Sequence, residues 1–115
     1  MTKYFGENVV VDGETYDSLN EYYRWSHLRQ LELDGKISEL KRNIKYVLVP
    51  AQQQDGKLVE YEVSYTADFE YILDGEKVVE DIKSYARGAS YQLFSIKRKL
   101  MLYKFGIRVK ELNQP

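Results

Sequence analysis

Cysteine is absent from this chain. Disulfides, a thiolate zinc site and a cysteine nucleophile are therefore excluded, and the chain suits a reducing compartment. Histidine occurs once, at His27. With no second imidazole to complete a zinc pair, it reads as a structural residue in mid-helix. No uninterrupted apolar run approaches the length needed to cross a bilayer, and the N-terminus has no signal-peptide core. The expectation is a cytoplasmic protein with no membrane partner. No repeat, linker or low-complexity segment is visible in the 115 residues. One domain, 1–115, is expected, and it is large enough to bury a core. Hydrophobic residues at 43% and charged residues at 30% suit a globular chain rather than a disordered one.

Acidic residues are missing from one stretch. Between Lys83 and Lys110 there is no Asp or Glu, while Lys83, Arg87, Lys97, Arg98, Lys99, Lys104, Arg108 and Lys110 are all basic. The net charge of −1 therefore hides a separation of sign along the chain. A neutral protein with one basic segment can present a phosphate-binding face; a solvated charged helix explains the same residues.

The pattern of elements is readable. Val9-Val10-Val11, Asp12-Gly13 and Glu14-Thr15-Tyr16 have strand, turn and strand chemistry, a short N-terminal hairpin. Ser18 with Glu21 three residues on has the spacing of a capping box, and Asp34-Gly35 supplies the stop. That helix is apolar on two sides, with Leu19, Tyr22, Tyr23, Ser26 and Leu33 on one and Trp25, Leu28 and Leu31 on the other. It is expected between two other elements. Ile44 to Val49 reads as a strand ended by Pro50. Gln52 to Lys57 reads as a mobile polar loop. A long strand from about Leu58 to Leu73 turns at Asp74-Gly75 and returns through Val78 to Lys83. Ser90 to Phe105 reads as a helix closed by Gly106, and Ile107 to Leu112 as a last strand.

Asp74-Gly75 is a strong signal for a two-residue hairpin loop. Counting outward pairs Leu73 with Glu76, Ile72 with Lys77, Tyr71 with Val78, Glu70 with Val79 and Phe69 with Glu80. The next pair is Asp68 opposite Asp81, and alternation places Lys83 on the same face as Asp81. Like charges directly opposite are destabilising. A divalent cation shared by the two carboxylates is the natural reason to keep them there. Magnesium takes one or two protein carboxylates and completes its shell with water and substrate phosphate. A lysine beside it can orient or deprotonate the attacking water, or stabilise charge on the phosphate. Many surface strands carry an acid and a lysine at this spacing as a solvated face, so the register carries the argument.

Glu21 is a third carboxylate. It shares a stripe with Trp25 and Leu28, which points it inward toward a metal; alternatively it is only the far half of the cap with Ser18. In the last helix, Leu93, Ile96, Leu100 and Tyr103 form an apolar stripe expected to face the core, with Lys97 and Lys104 within or beside it. A lysine there either snorkels to solvent or reaches a phosphate. Arg98 and Lys99 lean away and are candidates for backbone-phosphate contact. Gln92, early in the helix, could touch phosphate, though a solvated glutamine is the commoner state. The eleven tyrosines read mainly as packing residues.

Together these segments resemble the PD-(D/E)xK nuclease superfamily, and more narrowly a group of small phage-encoded proteins of unassigned function placed within it. The resemblance is carried by Tyr16-Asp17-Ser18 with Glu21, by Tyr65-Thr66-Ala67-Asp68-Phe69, by Val79 through Ser84, and by Lys97-Arg98-Lys99. It covers nearly the whole chain. It implies an α/β (α+β) restriction-endonuclease-like αβββαβ core, a mixed sheet flanked by helices. It implies that Asp68, Asp81 and Glu21 bind magnesium or manganese and that Lys83 assists the attacking water. Two departures stand out. Ala67 replaces the proline common before the first acid, and the second acid is Asp81 rather than glutamate. Glu80 is adjacent but projects to the other face of a regular strand, and a bulge would be needed for it to substitute.

The function expected from this is a metal-dependent DNA endonuclease, of phage recombination or junction-resolving type, with Lys97, Arg98, Lys99, Arg87 and Gln92 contacting DNA. A non-catalytic DNA-binding module with the same fold is the alternative, and a protein-assembly factor a third. A homodimer is a further expectation, because one small site cuts one strand.

Overall fold

Three Asp-Gly pairs shape this chain. Asp12-Gly13, Asp55-Gly56 and Asp74-Gly75 all adopt positive φ at both residues (52° and 82°, 52° and 77°, 52° and 81°). That is the backbone of a two-residue hairpin turn, whose twist matches that of the strands it joins. Each turn closes an antiparallel pair.

The computed structural model describes residues 2–5, 8–83 and 88–113. Strands β1 (Thr2–Phe5), β2 (Asn8–Val11) and β3 (Glu14–Tyr16) form an antiparallel three-stranded sheet in that order. The expected N-terminal hairpin is β2–β3, with Val9 opposite Tyr16 and Val11 opposite Glu14. β1 adds an outer strand that the sequence reading did not foresee.

Helix α1 (Leu19–Leu33) follows. The Ser18 side chain accepts from the Glu21 backbone amide at 3.1 Å, and Asp34 caps the other end. The helix is covered on two sides, as its two apolar faces require. Leu19, Tyr22 and Trp25 pack on Val9, Val11 and Tyr16 of the small sheet. Leu28, with Trp25 and Leu31, packs on Phe69 and Tyr71 of the main sheet and on Ile37 just before it. Tyr23 and Leu33, expected on a packed face, are exposed.

The main sheet has strand order β4-β7-β8-β9. β4 (Ser38–Val49), β7 (Val63–Leu73) and β8 (Glu76–Lys83) are antiparallel neighbours, and β9 (Lys110–Asn113) lies parallel to β8. The sheet is mixed and the chain is α+β. Helix α2 (Ala89–Phe105) runs between β8 and β9 and ends at Gly106 in the left-handed conformation. The two helices cover opposite faces. Val78 packs with the α1 cluster and its neighbour Val79 with the α2 cluster of Phe94 and Met101.

Two expectations need correction. The polar segment after Pro50 is a two-stranded ribbon, β5 (Gln52–Gln54) paired with β6 (Lys57–Glu60), rather than a loop. Its Asp55-Gly56 turn is the reason. The long strand expected from Leu58 is therefore divided, and β7 begins only at Val63.

The sheet also carries a buried ion pair. Glu80 has no solvent exposure, and its carboxylate accepts from Arg24 of α1 at 2.9 and 2.7 Å and from the Tyr71 hydroxyl. Arg24→Ala leaves that charge buried without its cation. It is expected to destabilise the protein by about 3 kcal/mol, read as a lower urea midpoint with an unchanged slope.

Candidate metal centre

The β7–β8 hairpin has the register expected from its turn, residue for residue from Leu73 opposite Glu76 to Phe69 opposite Glu80. The ladder then ends. Beyond Phe69 the two strands part, and β8 continues by pairing with β9 on its other side, with Asp81 beside Glu111 and Lys83 beside Asn113. The Asp68 carboxylate occupies the opening. Its Oδ2 accepts from the Ile82 backbone amide at 2.8 Å, taking the place of a ladder bond.

β7 also changes face here. Tyr65 and Ala67 pack on the α2 side, whereas Phe69 and Tyr71 pack on the α1 side. Four residues of one parity would share a face in a regular strand. The switch falls at Asp68. Across from it, Asn43 of β4 sits at φ 56° between the pairs Arg42–Phe69 and Ile44–Ala67. β4 switches with it, since Tyr46 packs on the α2 side while the Arg42 guanidinium lies over Tyr16, 4.1 Å from the ring centre. Strict alternation does not reveal this, and it sets Asp68 at a twist between the two layers.

Asp81 and Lys83 share a face, as the register requires. Lys83 Nζ is 3.1 Å from Asp81 Oδ2 and 3.9 Å from the centre of the Phe94 ring. The Tyr65 hydroxyl donates to the same Oδ2 at 2.8 Å. One oxygen of Asp81 is thus held by two donors, which leaves Oδ1 for another partner. Burial, and then the charge of Asp81, push the Tyr65 phenol up, so it remains a donor. Glu80 projects to the opposite face, bonded to Arg24 and Tyr71, so no bulge brings it into the site.

The start of α1 supplies the remaining acids. Glu21 is 3% exposed. Its amide donates to the Ser18 side chain, while its carboxylate lies beside Asp17 and Asp68 instead of returning to the Ser18 amide, so only the Ser18 half of the capping box forms. Ligand oxygens of Asp17, Glu21 and Asp68 all lie within 4.8 Å of one another. Asp17 was missed as a candidate. It precedes the Ser18 cap, outside the helical repeat, and no spacing in the sequence marks it.

The Glu21 and Asp68 carboxyls hold their protons more tightly than usual. Burial, and then the neighbouring Asp17 charge, raise Glu21 from 4.5 to about 7. Burial, and then Asp81, raise Asp68 well above the usual carboxylate range. Desolvated carboxylates crowded together disfavour ionisation, and a cation would reverse that. An all-oxygen, carboxylate-rich donor set fits a hard divalent ion such as magnesium or manganese. The residues therefore fit a metal.

The site opens to solvent as a cleft of about 500 Å³, whose walls include Asp17, Glu21, Asp68, Asp81, Lys83 and Lys97. Among the other residues expected to contact DNA, Gln92 and Lys99 are exposed on α2, outside the cleft wall. Arg98 is tied to Glu111 at 2.8 Å and to Tyr91 and Ser95 at 3.2 Å, within the molecule. Lys104 donates to the carbonyls of Val47 and Leu48 at 3.1 and 3.2 Å. Arg87 and Ser84 lie outside the described residues. His27 is exposed on α1. The stripe expected to face the core does not: Phe94 and Met101 do, and Leu93, Ile96 and Tyr103 are exposed.

No helix among the described residues is long and apolar enough to cross a membrane. A family profile described as "Protein of unknown function (DUF1064)" matches residues 1–113, and the chain belongs to that family. No curated protein and no solved structure matches it.

The raised carboxyls have a consequence for stability. In chelator, the folded protein keeps a proton on Glu21 that the unfolded chain has released, so stability declines as pH rises from 4.5 through about 7. Asp68 is raised in the same direction and extends the decline. Melting temperatures across this range should show the fall in EDTA, a shallower one for Glu21→Gln, and recovery at high pH when Mg2+ is added.

Proposed function

We propose that this member of the DUF1064 family is a metal-dependent nuclease that hydrolyses phosphodiester bonds in DNA. The observation that carries the reading is one of convergence. Asp68 from β7, Asp81 and Lys83 from β8, and Glu21 from α1 line one cleft, with Lys83 Nζ 3.1 Å from Asp81. The order of helix, three antiparallel strands, helix and parallel strand supports a restriction-endonuclease-like core and membership of the PD-(D/E)xK superfamily. Fold likeness alone would not license an activity; the site is the argument.

Asp68, Asp81 and Glu21, joined by Asp17, would hold Mg2+ or Mn2+. When bound, the ion lowers the pKa of a coordinated water and offsets charge on the phosphate. The residues do the rest. Tyr65 and Lys83 both engage Asp81 Oδ2 and aim the carboxylate. Lys83, against the Phe94 ring, stands where it can orient the attacking water and stabilise charge on the phosphate. Lys97 on the cleft wall provides a contact to a phosphate of the bound strand. Water adds to phosphorus and releases a proton to solvent in the open cleft, and the bond to the leaving oxygen breaks as that oxygen takes up a proton from solvent.

A second reading, a DNA-binding module without catalysis, has one observation in its favour. Asp81 is shorter than the glutamate it replaces and already has one oxygen engaged by two protein donors. Two-strand incision would further call for a symmetric pair of chains, which sedimentation with and without DNA would detect.

The test is incubation with supercoiled, linear and branched DNA in Mg2+ or Mn2+. Cleavage is expected from the wild type, with a loss of about a hundredfold or more in Asp68→Ala, Asp81→Ala and Lys83→Ala. A wild type that cuts nothing, together with calorimetry showing no metal uptake that Asp68→Ala abolishes, would overturn the catalytic reading.

A further inference from the structure

Helix α2 presents an apolar stripe that nothing among the described residues covers. Leu93 is 54%, Ile96 56% and Tyr103 90% exposed, and Leu100 beside them is half-buried at the edge of the core. At 100° per residue these four fall within an arc of about 80°. Lys97 and Lys104 border the arc on its core side, and Gln92 and Lys99 on the other. The helix contains no acid. Of its four basic residues, Arg98 and Lys104 are engaged within the fold. Lys97 and Lys99 make no hydrogen bond or ion pair among the described residues. The stripe begins in the cleft, because Leu93 and Lys97 form part of its wall. It runs about 15 Å to Tyr103.

We propose that this stripe is the track of an unpaired DNA strand leaving the cleft, with bases against Leu93, Ile96 and Tyr103 and phosphates at Lys97 and Lys99. The inference rests on the nuclease reading for what happens in the cleft. It adds the substrate class, DNA with a single-stranded arm in place of continuous duplex. A duplex turns its charged backbone outward and would leave an apolar helix face wet. An unpaired strand has base faces of its own to cover, and aromatic and aliphatic side chains between lysines suit it. A second copy of the chain is the other occupant such a face invites. Packing two α2 stripes together would bring Lys97 and Lys99 of each helix, and no acid of α2, into one interface, and like charges oppose it. DNA supplies the apolar surface and the opposite charge together.

Fluorescence anisotropy in EDTA reads binding apart from cleavage. The probes are a thymidine homopolymer, a blunt duplex and a fork of the same duplex with thymidine arms. The wild type should prefer the homopolymer and the fork. Tyr103→Ala and Ile96→Ser should weaken binding to both by about tenfold while leaving the blunt duplex unchanged. Both side chains are exposed, and circular-dichroism melting checks that the variants fold. Equal losses on fork and duplex, no loss on either, or a wild type that binds no DNA would overturn the proposal. So would a dimer in sedimentation that Ile96→Asp breaks while DNA affinity persists. Fork preference without cleavage in any metal sinks the nuclease reading and supports the track. Cleavage with neutral Tyr103 and Ile96 variants sinks the track alone.

Discussion

Carboxylates held close together repel one another, and the site of this protein is organised around that repulsion. Asp17, Glu21 and Asp68 place their oxygens within 4.8 Å, and Asp81 lies on the neighbouring strand. No stability argument explains such a cluster, because like charges across a sheet and a buried carboxylate each work against folding. The fold holds it in place by other means. The α1 face of β8 is locked by Arg24, Tyr71 and Glu80, and the opposite face by Val79, Phe94 and Met101. Between those two anchors the strands part, and the parting is where the acids gather.

Neighbouring residues on β8 therefore have opposite fates. Glu80 is neutralised by an arginine and buried completely, a structural pair whose partners are all inside the chain. Asp81, one residue on, meets a lysine and a tyrosine that occupy only one of its oxygens. Alternation alone separates them. A one-residue slip in the β7–β8 register would exchange their environments, burying Asp81 beside Arg24 and offering Glu80 to the cleft. The Asp74-Gly75 turn is what forbids the slip, so a loop at the far end of the hairpin determines which acid is left free.

That dependence explains what was legible in the sequence. A two-residue Asp-Gly loop has one register, so the facing of Asp81 and Lys83 could be counted from it. The Ser18 cap, both helices and their glycine-assisted ends were readable for the same reason: local backbone chemistry specifies them. The misses have a common origin in tertiary context. Asp55-Gly56 carries the same turn signal as the other two, yet its polar flanks read as loop when it closes a ribbon. The face switch at Asp68 leaves no mark in a period-two pattern. The α2 stripe was assigned to the core because apolar residues at helical spacing usually are, but Phe94 and Met101, seven apart on the other side, fill that role. Asp17 was overlooked because its importance depends on where β7 passes α1, a distance no motif contains.

Charge shows the same gap between composition and structure. The acid-free segment from Lys83 to Lys110 suggests a broad basic face. Folding narrows it. Arg98 turns inward to Glu111, Lys104 to strand carbonyls and Lys83 to Asp81. Among the described residues, what remains near the cleft is Lys97 on its wall and Lys99 on the outer flank of α2. On the nuclease reading, these two lysines add little affinity for duplex DNA by themselves, since non-specific affinity scales with the number of phosphates neutralised. On the same reading, further binding energy comes from contacts that do not need charge. The exposed apolar side chains of α2, which start at the cleft wall with Leu93, are a surface that can make them.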